Sequence, residues 1–419
     1  MAGFAKRPHS AAQHTKKQHD IDDDQDLNSF AHAGMLSGDI ITSDKKVSRA
    51  VEKYEEEAGR KKPNIFVRVL SAIFPVKGDG VGESVRKIIF DIAVVAFVIS
   101  GGSVLHDILD ETIQDKVVDT QIAEDYKEFE EDKTFEEIRG MINLSDNQIK
   151  VIEDEKPGIQ ASFLELYAQN SDIVGWIRVG SKDDPIININ YPVVQAEDNE
   201  YYLDHTFKKE VSKRGTIYAD YRNKFDNGEL SANTILYGHN MWNGDTMFAK
   251  LSRYYDGGTV RGESNDRLEF YRNHPTLTFN TLYENAEWKV FACVLFNTQE
   301  KLGEVYPYIN IHDFPNAGSF NTFILDIMDR SVLWTDVDLQ YGDEILTLST
   351  CYYPYQKENA DTRVAVFARK VREGENPEVD VSKAQVNYDP LKFAYQYQVE
   401  GGSWGGRKWD TSKLLSYTG

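Results

Sequence analysis

The chain has 419 residues, 41% of them hydrophobic and 12% aromatic, which suffices for at least one full-sized domain with appendages and excludes wholesale disorder. A formal net charge of −21 excludes a general binder of nucleic acid, because phosphates would be repelled. The only cysteines are Cys293 and Cys351, so no disulfide framework is present.

Residues 1–46 are dominated by His, Gln, Lys and Asp without a sustained apolar period, and a disordered tail is expected there. A short charged helix is expected near 47–60. An apolar run follows over 88–109, with Ile92-Ala93-Val94-Val95-Ala96-Phe97-Val98-Ile99 at its centre. At about 1.5 Å per residue, roughly 20 residues cross the bilayer core. Asp91 and Gly101-Gly102 weaken the run, and a buried helix of a soluble domain is the alternative. The flanks favour a membrane span: Arg60, Lys61, Lys62, Arg68, Lys77, Arg86 and Lys87 precede it, and Asp107, Asp110, Glu111 and Asp115 lie at or beyond its far end. By the positive-inside rule the N-terminus is cytoplasmic and the C-terminal bulk extracellular. No small-residue cleavage site follows, so the expectation is an uncleaved, single-pass cell-membrane anchor. Residues 1–87 hold 15 Lys and Arg against 13 Asp and Glu, which leaves the acidic excess beyond the run.

Over 121–170 the pattern is helical, with Tyr126, Phe129, Phe135, Ile138 and Ile142 at three- and four-residue steps. Pro157 separates this stretch from a second helix at 161–168. From Ile173 onward the pattern turns to β. Short apolar or β-branched runs fall at 173–179, 186–194, 216–218, 234–237, 276–282, 288–296, 344–351 and 363–371, punctuated by Gly, Asn, Asp and Pro. Eight such strands suggest a closed barrel or a sandwich. One helix is expected at 320–329. The segment 373–419 is aromatic and Gly-rich, and reads equally as a flexible extension, a lid or a strand packed on the domain.

Cys351 ends a strand-like run, and Pro354 cannot continue a central strand. The thiol is therefore held rigidly from behind and open in front, although a lone cysteine is more commonly a buried structural residue. A thiol nucleophile needs a base or a cationic neighbour. Of the four histidines beyond the apolar run, His239 stands out, at the end of the strand at 234–237 with Gly238 beside it. Arg363 opens the next strand, twelve residues after Cys351; that spacing suits a long-loop hairpin with both residues at the same end. Its guanidinium suits a developing oxyanion. Two isolated cysteines cannot form Cys-x-x-Cys pairs and no His-Glu-x-x-His occurs, so no metal pattern is present, and the chemistry requires no cofactor.

Thr347-Leu348-Ser349-Thr350-Cys351, with Tyr237-Gly238-His239 upstream and Arg363 downstream, resembles the sortases, and among them class B. The resemblance extends to Asp172-Ile173-Val174-Gly175-Trp176-Ile177, Tyr191-Pro192-Val193-Val194-Gln195, Asp198-Asn199-Glu200-Tyr201-Tyr202-Leu203 and Met247-Phe248-Ala249-Lys250-Leu251, and spans about 120–371. It implies a mainly β fold with added helices: an eight-stranded sortase-type barrel, N-terminal helices, and one helix inserted before the cysteine-bearing strand. Taken with the apolar run and its flanking charges, the expected division is a cytoplasmic, largely disordered tail at 1–87, a signal-anchor at 88–109, a helical segment at 110–170, a catalytic barrel at 171–372 and an unassigned extension at 373–419; the tail and the extension lie outside the usual family core. Cys351 would attack the Thr carbonyl of a sorting signal to give a thioacyl enzyme. His239 would protonate the leaving amine and deprotonate the incoming one, and Arg363 would hold the substrate backbone or the oxyanion. Asn199, Leu203, Ser349 and Thr350 resemble positions that line the substrate groove. The implied partners are secreted proteins bearing an LPxTG-like or NPxTN-like signal, a peptidoglycan precursor amine and the membrane. Tyr352 departs from the family pattern, which often places an acid directly after the cysteine. Polymerisation of pilins through lysine side chains, or a catalytically inactive surface-binding module, are the alternative functions.

Overall fold

The computed structural model describes Lys53, residues 65–126 and residues 135–416, apart from 182–183, 185, 227, 242–245, 258, 261–262, 265 and 356–359. The tail expected at 1–46 lies outside the described residues, as does the helix expected at 47–60 except for Lys53. The chain divides into two compact units, Met1–Val104 and Leu105–Gly419.

Helix α1 (Ile65–Ile73) and the first part of the long helix α2 (Val81–Asp125) belong to the first unit. Lys87, on α2, is buried, and its ammonium reaches back to donate to Asp79 in the intervening turn at 2.8 Å and to the Ser71 carbonyl at 2.6 Å. Helix α2 runs unbroken through Gly101-Gly102, where the sequence suggested an interruption. Each glycine costs a helix only about 1 kcal/mol, which many flanking turns outweigh. Among the described residues no helix is long and apolar enough to cross a membrane. The side chains of 103–109, at the far end of the span expected at 88–109, lie outside the described residues, as do those of 110–118.

The second unit is built on a closed barrel of eight strands. They are β1 (Ile173–Val179), β2 (Ile189–Val194), β3 (Ile217–Ala219), β4 (Asn233–Tyr237), β5 (Thr276–Thr281), β6 (Glu287–Asn297), β7 (Ile345–Cys351) and β8 (Thr362–Lys370). Their order around the barrel is β1-β2-β3-β4-β7-β8-β6-β5. The pairs β2–β3 and β4–β7 are parallel and the others antiparallel. Every expected strand is present within a few residues. The largest shift is in β2, expected from Ile186: the Asp184 carboxylate accepts the Ile186 and Ile187 amides at 2.7 and 3.0 Å, so those donors serve a turn and not the ladder.

Strand β6 reads as a continuous apolar run because both its faces are covered. Trp288, Val290, Cys293 and Leu295 face the barrel core, whereas Phe291, Val294 and Phe296 join a second cluster with helix α3 (Ala317–Arg330). That helix starts on an Asn316–Ser319 capping box and buries Phe320, Phe323, Ile324 and Ile327 at helical spacing. Each of those side chains contributes about 1.5–3 kcal/mol of burial. A third cluster packs the end of α2 and the turn at Ala161–Phe163 against β1; there Tyr126 stacks on Trp176 with ring centroids 4.3 Å apart.

The C-terminal segment is packed and not free. Gln385–Val386 pairs with Leu333–Trp334, Leu414 bridges Leu339, and Trp409 and Leu414 enter the second cluster. Arg369, fully buried, is held by Glu375 and Asp338, and Arg372 by Asp338 and Asp343.

Candidate active site

Alternation along β7 sends Leu346 and Leu348 into the barrel core and puts Ser349 and Cys351 on the opposite face. On β8, Val364 and Val366 point into the core, so Arg363 also faces outward. Cys351 and Arg363 are direct cross-strand partners. A pair of that kind has Cβ atoms about 4.5–5.5 Å apart. The hairpin expected from the spacing is present, with both residues at one end.

His239 reaches the same end through the parallel pairing of β4 with β7. Tyr237, the last residue of β4, is in register with Ser349, and the chain continues through Gly238 and His239 to Asn240, which reaches the Cys351 carbonyl. Asn240 fastens this turn by donating to the Cys351 carbonyl at 2.7 Å, and the Thr350 hydroxyl donates to the Gly238 carbonyl at 2.7 Å. Only glycine fits at 238, since a Cβ there would lie 2.8 Å from the Phe248 ring. The His239 Nε2 is 2.8 Å from the Leu203 carbonyl, which can only accept. Nε2 therefore carries a proton, and Nδ1 is the ring nitrogen left to exchange one with a substrate.

The Arg363 guanidinium donates to the Asp361 carboxylate and, at 3.0 Å, to the Thr362 carbonyl. Burial works against its charge, but Asp361 and the Cys351 sulfur outweigh this and raise its pKa above the ordinary value. The Tyr353 phenol is pushed up to about 12, by burial and by a hydrogen bond to the Cys351 sulfur.

Cys351, His239 and Arg363 open on one cavity of about 460 Å³, whose walls also include Asn199, Leu203, Ser349 and Thr350. All seven candidate residues thus share one site. The far wall is the segment Val305–Asn310, from which Tyr308 bonds Ser349 at 2.8 Å. A second cavity of about 460 Å³ lies between Asp172 and Tyr283 and holds none of the three residues, so chemistry and not volume singles out the site. Among the described residues no cluster of His, Cys, Asp and Glu is arranged to hold a metal ion.

Sequence reasoning missed the residue that organises the walls. Asp220 is fully buried and accepts from Asn199 at 3.0 Å, Tyr237 at 2.8 Å and the Arg222 Nε at 2.8 Å. Arg222 in turn donates to the Ile309 carbonyl and the Asn310 side chain, both at 2.9 Å. One carboxylate thereby ties three wall segments together. Burial opposes its ionisation, but Arg222, His312 and Tyr237 hold its pKa far below the usual carboxylate range. Its partners lie up to 92 residues away in sequence, and no local motif announces them.

Residues 185–371 match the family model described as the sortase domain. The chain is 35% identical to sortase B of Listeria monocytogenes over 187 residues, covering 45% of this chain and 65% of that protein. It is 31% identical to sortase B of Staphylococcus aureus over 214 residues, covering 51% of this chain and 76% of that protein. Among solved structures, a Staphylococcus aureus sortase B–substrate complex aligns at 26% identity and TM-score 0.46, covering 62% of this chain and 98% of that one. Sortase B from B. anthracis in complex with AAEK1 aligns at 28% and 0.45, covering 63% and 99%. On the sequence match to the sortase domain and to sortase B of Staphylococcus aureus, the chain belongs to the sortase family, class B.

Proposed function

We propose that this chain is a cysteine transpeptidase that cleaves a sorting signal after Thr and transfers the acyl product to an amine. The observation that carries this reading is the convergence of Cys351, Arg363 and His239 at one end of β4, β7 and β8, in a single open cavity. The Cys351 thiolate adds to the Thr carbonyl, and the oxyanion accepts hydrogen bonds from Arg363. Collapse breaks the C–N bond, and His239 gives the leaving amine its proton. A thioester to Sγ remains. An incoming amine loses its proton to His239, attacks the thioester and releases the thiolate, so atoms and protons balance over the cycle. Asn199, Leu203, Ser349 and Thr350 line the groove that positions the signal, and a peptidoglycan precursor amine is the acceptor on an extracellular site.

The anchor belongs to the same proposal: a cytoplasmic tail at 1–87, a span at 88–109, a helical segment at 110–170 and the catalytic barrel at 171–372. The large apolar side chains from Ile88 to Ile99 are all exposed around the helix, a surface that suits lipid better than water. Placing Asp at Val95 and Val98 costs about 2.5–3.5 kcal/mol each in a bilayer centre. Val95→Asp/Val98→Asp is expected to release the chain from membranes at alkaline pH; unchanged retention would contradict the span.

The transfer reaction is tested by incubating the protein with a peptide carrying Thr-Gly or Thr-Asn and a panel of amines, with products identified by mass spectrometry. The expected products are the peptide cut after Thr and its amide with the acceptor. Absence of both would refute the reading.

A further inference from the structure

We propose that the C-terminal extension braces the active site, and that Glu400 on helix α4 (Ala394–Glu400) is a positioning residue for Cys351; this rests on the reading of Cys351 as the nucleophile. The helix lies beyond the residues that match the sortase domain and touches both loops that flank the site.

The first is the loop from Tyr352 to Asp361, which joins Cys351 to Arg363. Tyr355 is buried in it, and its hydroxyl donates to the Glu400 carboxylate. The Tyr355 ring meets Phe393 and Tyr395 edge-on, at 6.3 and 5.9 Å between centroids. On α4, Gln396 donates to the Tyr255 hydroxyl at 3.0 Å, and Tyr255 meets Tyr352 edge-on at 5.8 Å. Tyr352 follows the nucleophile directly, so the helix reaches within one residue of Cys351 through two rings.

The second is the loop that leads into the cavity wall. Ala394 fills the space over Gly303, where a Cβ would lie 2.7 Å from the Ala394 nitrogen, and Gly303 holds φ +127°. The Gly303 carbonyl accepts from Asn297 at 3.1 Å, and Asn297 lines the cavity. The two loops are tied to each other as well: Thr298 donates to the Asp361 carboxylate at 2.7 Å, and Asp361 holds Arg363. The two loops thus share one packed helix, and fixing them removes motion that would misplace a nucleophile and an oxyanion donor.

The test uses the full-length detergent-solubilised chain with Tyr355→Phe, Glu400→Ala and Glu400→Gln. Four quantities are measured: the pH profile of Cys351 alkylation by iodoacetamide, kcat and KM for a Thr-Gly or Thr-Asn sorting peptide, and the thermal midpoint. Tyr355→Phe and Glu400→Ala are each expected to lower kcat about tenfold, the worth of one hydrogen bond to a charged group, and to displace the alkylation profile. The double variant is expected to be no worse than either single one, because both remove the same contact. Glu400→Gln keeps an acceptor and is expected within about threefold of the parent. A lowered thermal midpoint with kcat and the alkylation profile unchanged would overturn the brace. Alkylation needs no sorting peptide, so a parent chain that alkylates at Cys351 but turns over no peptide would refute the transpeptidase reading while the brace is still read from the alkylation profiles.

Discussion

The barrel holds two cysteines in opposite surroundings. Cys293 lies mid-strand in β6, facing the barrel core, wholly buried and opposite Val366. Its thiol is pushed well above the ordinary range, by burial before all else. Cys351 lies at the last residue of β7, half-buried, opposite Arg363 and beside the His239 turn. The two thiols differ in position on the strand: mid-strand Cys293 is a small apolar filler, and at the rim Cys351 sits opposite a cation and beside the turn that carries His239.

The sharpest way to break that contrast is Cys351→Ala, which is expected to lower kcat by at least about 10⁴-fold in a sorting-peptide assay. Arg363→Ala and His239→Ala are expected to cost about 10²–10³-fold each. Arg363→Lys is not expected to restore the rate, since an ammonium lacks the planar fork that spans Asp361 and the oxyanion. The profile of kcat/KM against pH is expected to be bell-shaped, because thiol and imidazole act as a pair; a flat profile with chemistry rate-limiting would count against it.

Asp220→Asn separates wall from centre. It is expected to raise KM about tenfold with less change in kcat, since it loosens Asn199, Tyr237 and Arg222 and leaves Cys351 in place. A kcat loss without a KM change would contradict the wall assignment. Asp220 and Glu375 also contribute to stability against acid. Both are held below their ordinary values, Asp220 against the effect of burial and Glu375 chiefly by Arg369. Their contribution is full above the unfolded values near 4 to 4.5 and is lost as pH falls from there toward the folded ones. Thermal midpoints are expected to drop below about pH 4.5, and less steeply in Glu375→Gln. The smallest effect is expected at the other cysteine: Cys293→Ala should cost about 1 kcal/mol of stability and leave kcat within about twofold.

Local chemistry made much of this legible in the sequence. Short apolar or β-branched runs bounded by Gly, Asn, Asp and Pro marked all eight strands, and the twelve-residue spacing of Cys351 and Arg363 marked a hairpin. Helix α3 was visible from Phe320, Phe323, Ile324 and Ile327. His239 is different: it lies 112 residues before Cys351, and only the parallel pairing of β4 with β7 brings its turn to Cys351. The family resemblance, and not spacing, linked them in advance. Asp220 was not legible, because its partners come from four separate segments. The extension at 373–419 was undecided because Trp409 and Leu414 carry no period; they dock singly into a surface that α3 and β6 create.

The most direct measurement is the site of the thioacyl adduct. The parent chain, Cys293→Ala and Cys351→Ala are each incubated with a sorting peptide, quenched in acid and mapped by mass spectrometry. The adduct is expected on Cys351 in the parent and in Cys293→Ala, and on no residue in Cys351→Ala. An adduct that persists in Cys351→Ala, or one found on Cys293, would contradict the assignment of the rim thiol as the nucleophile.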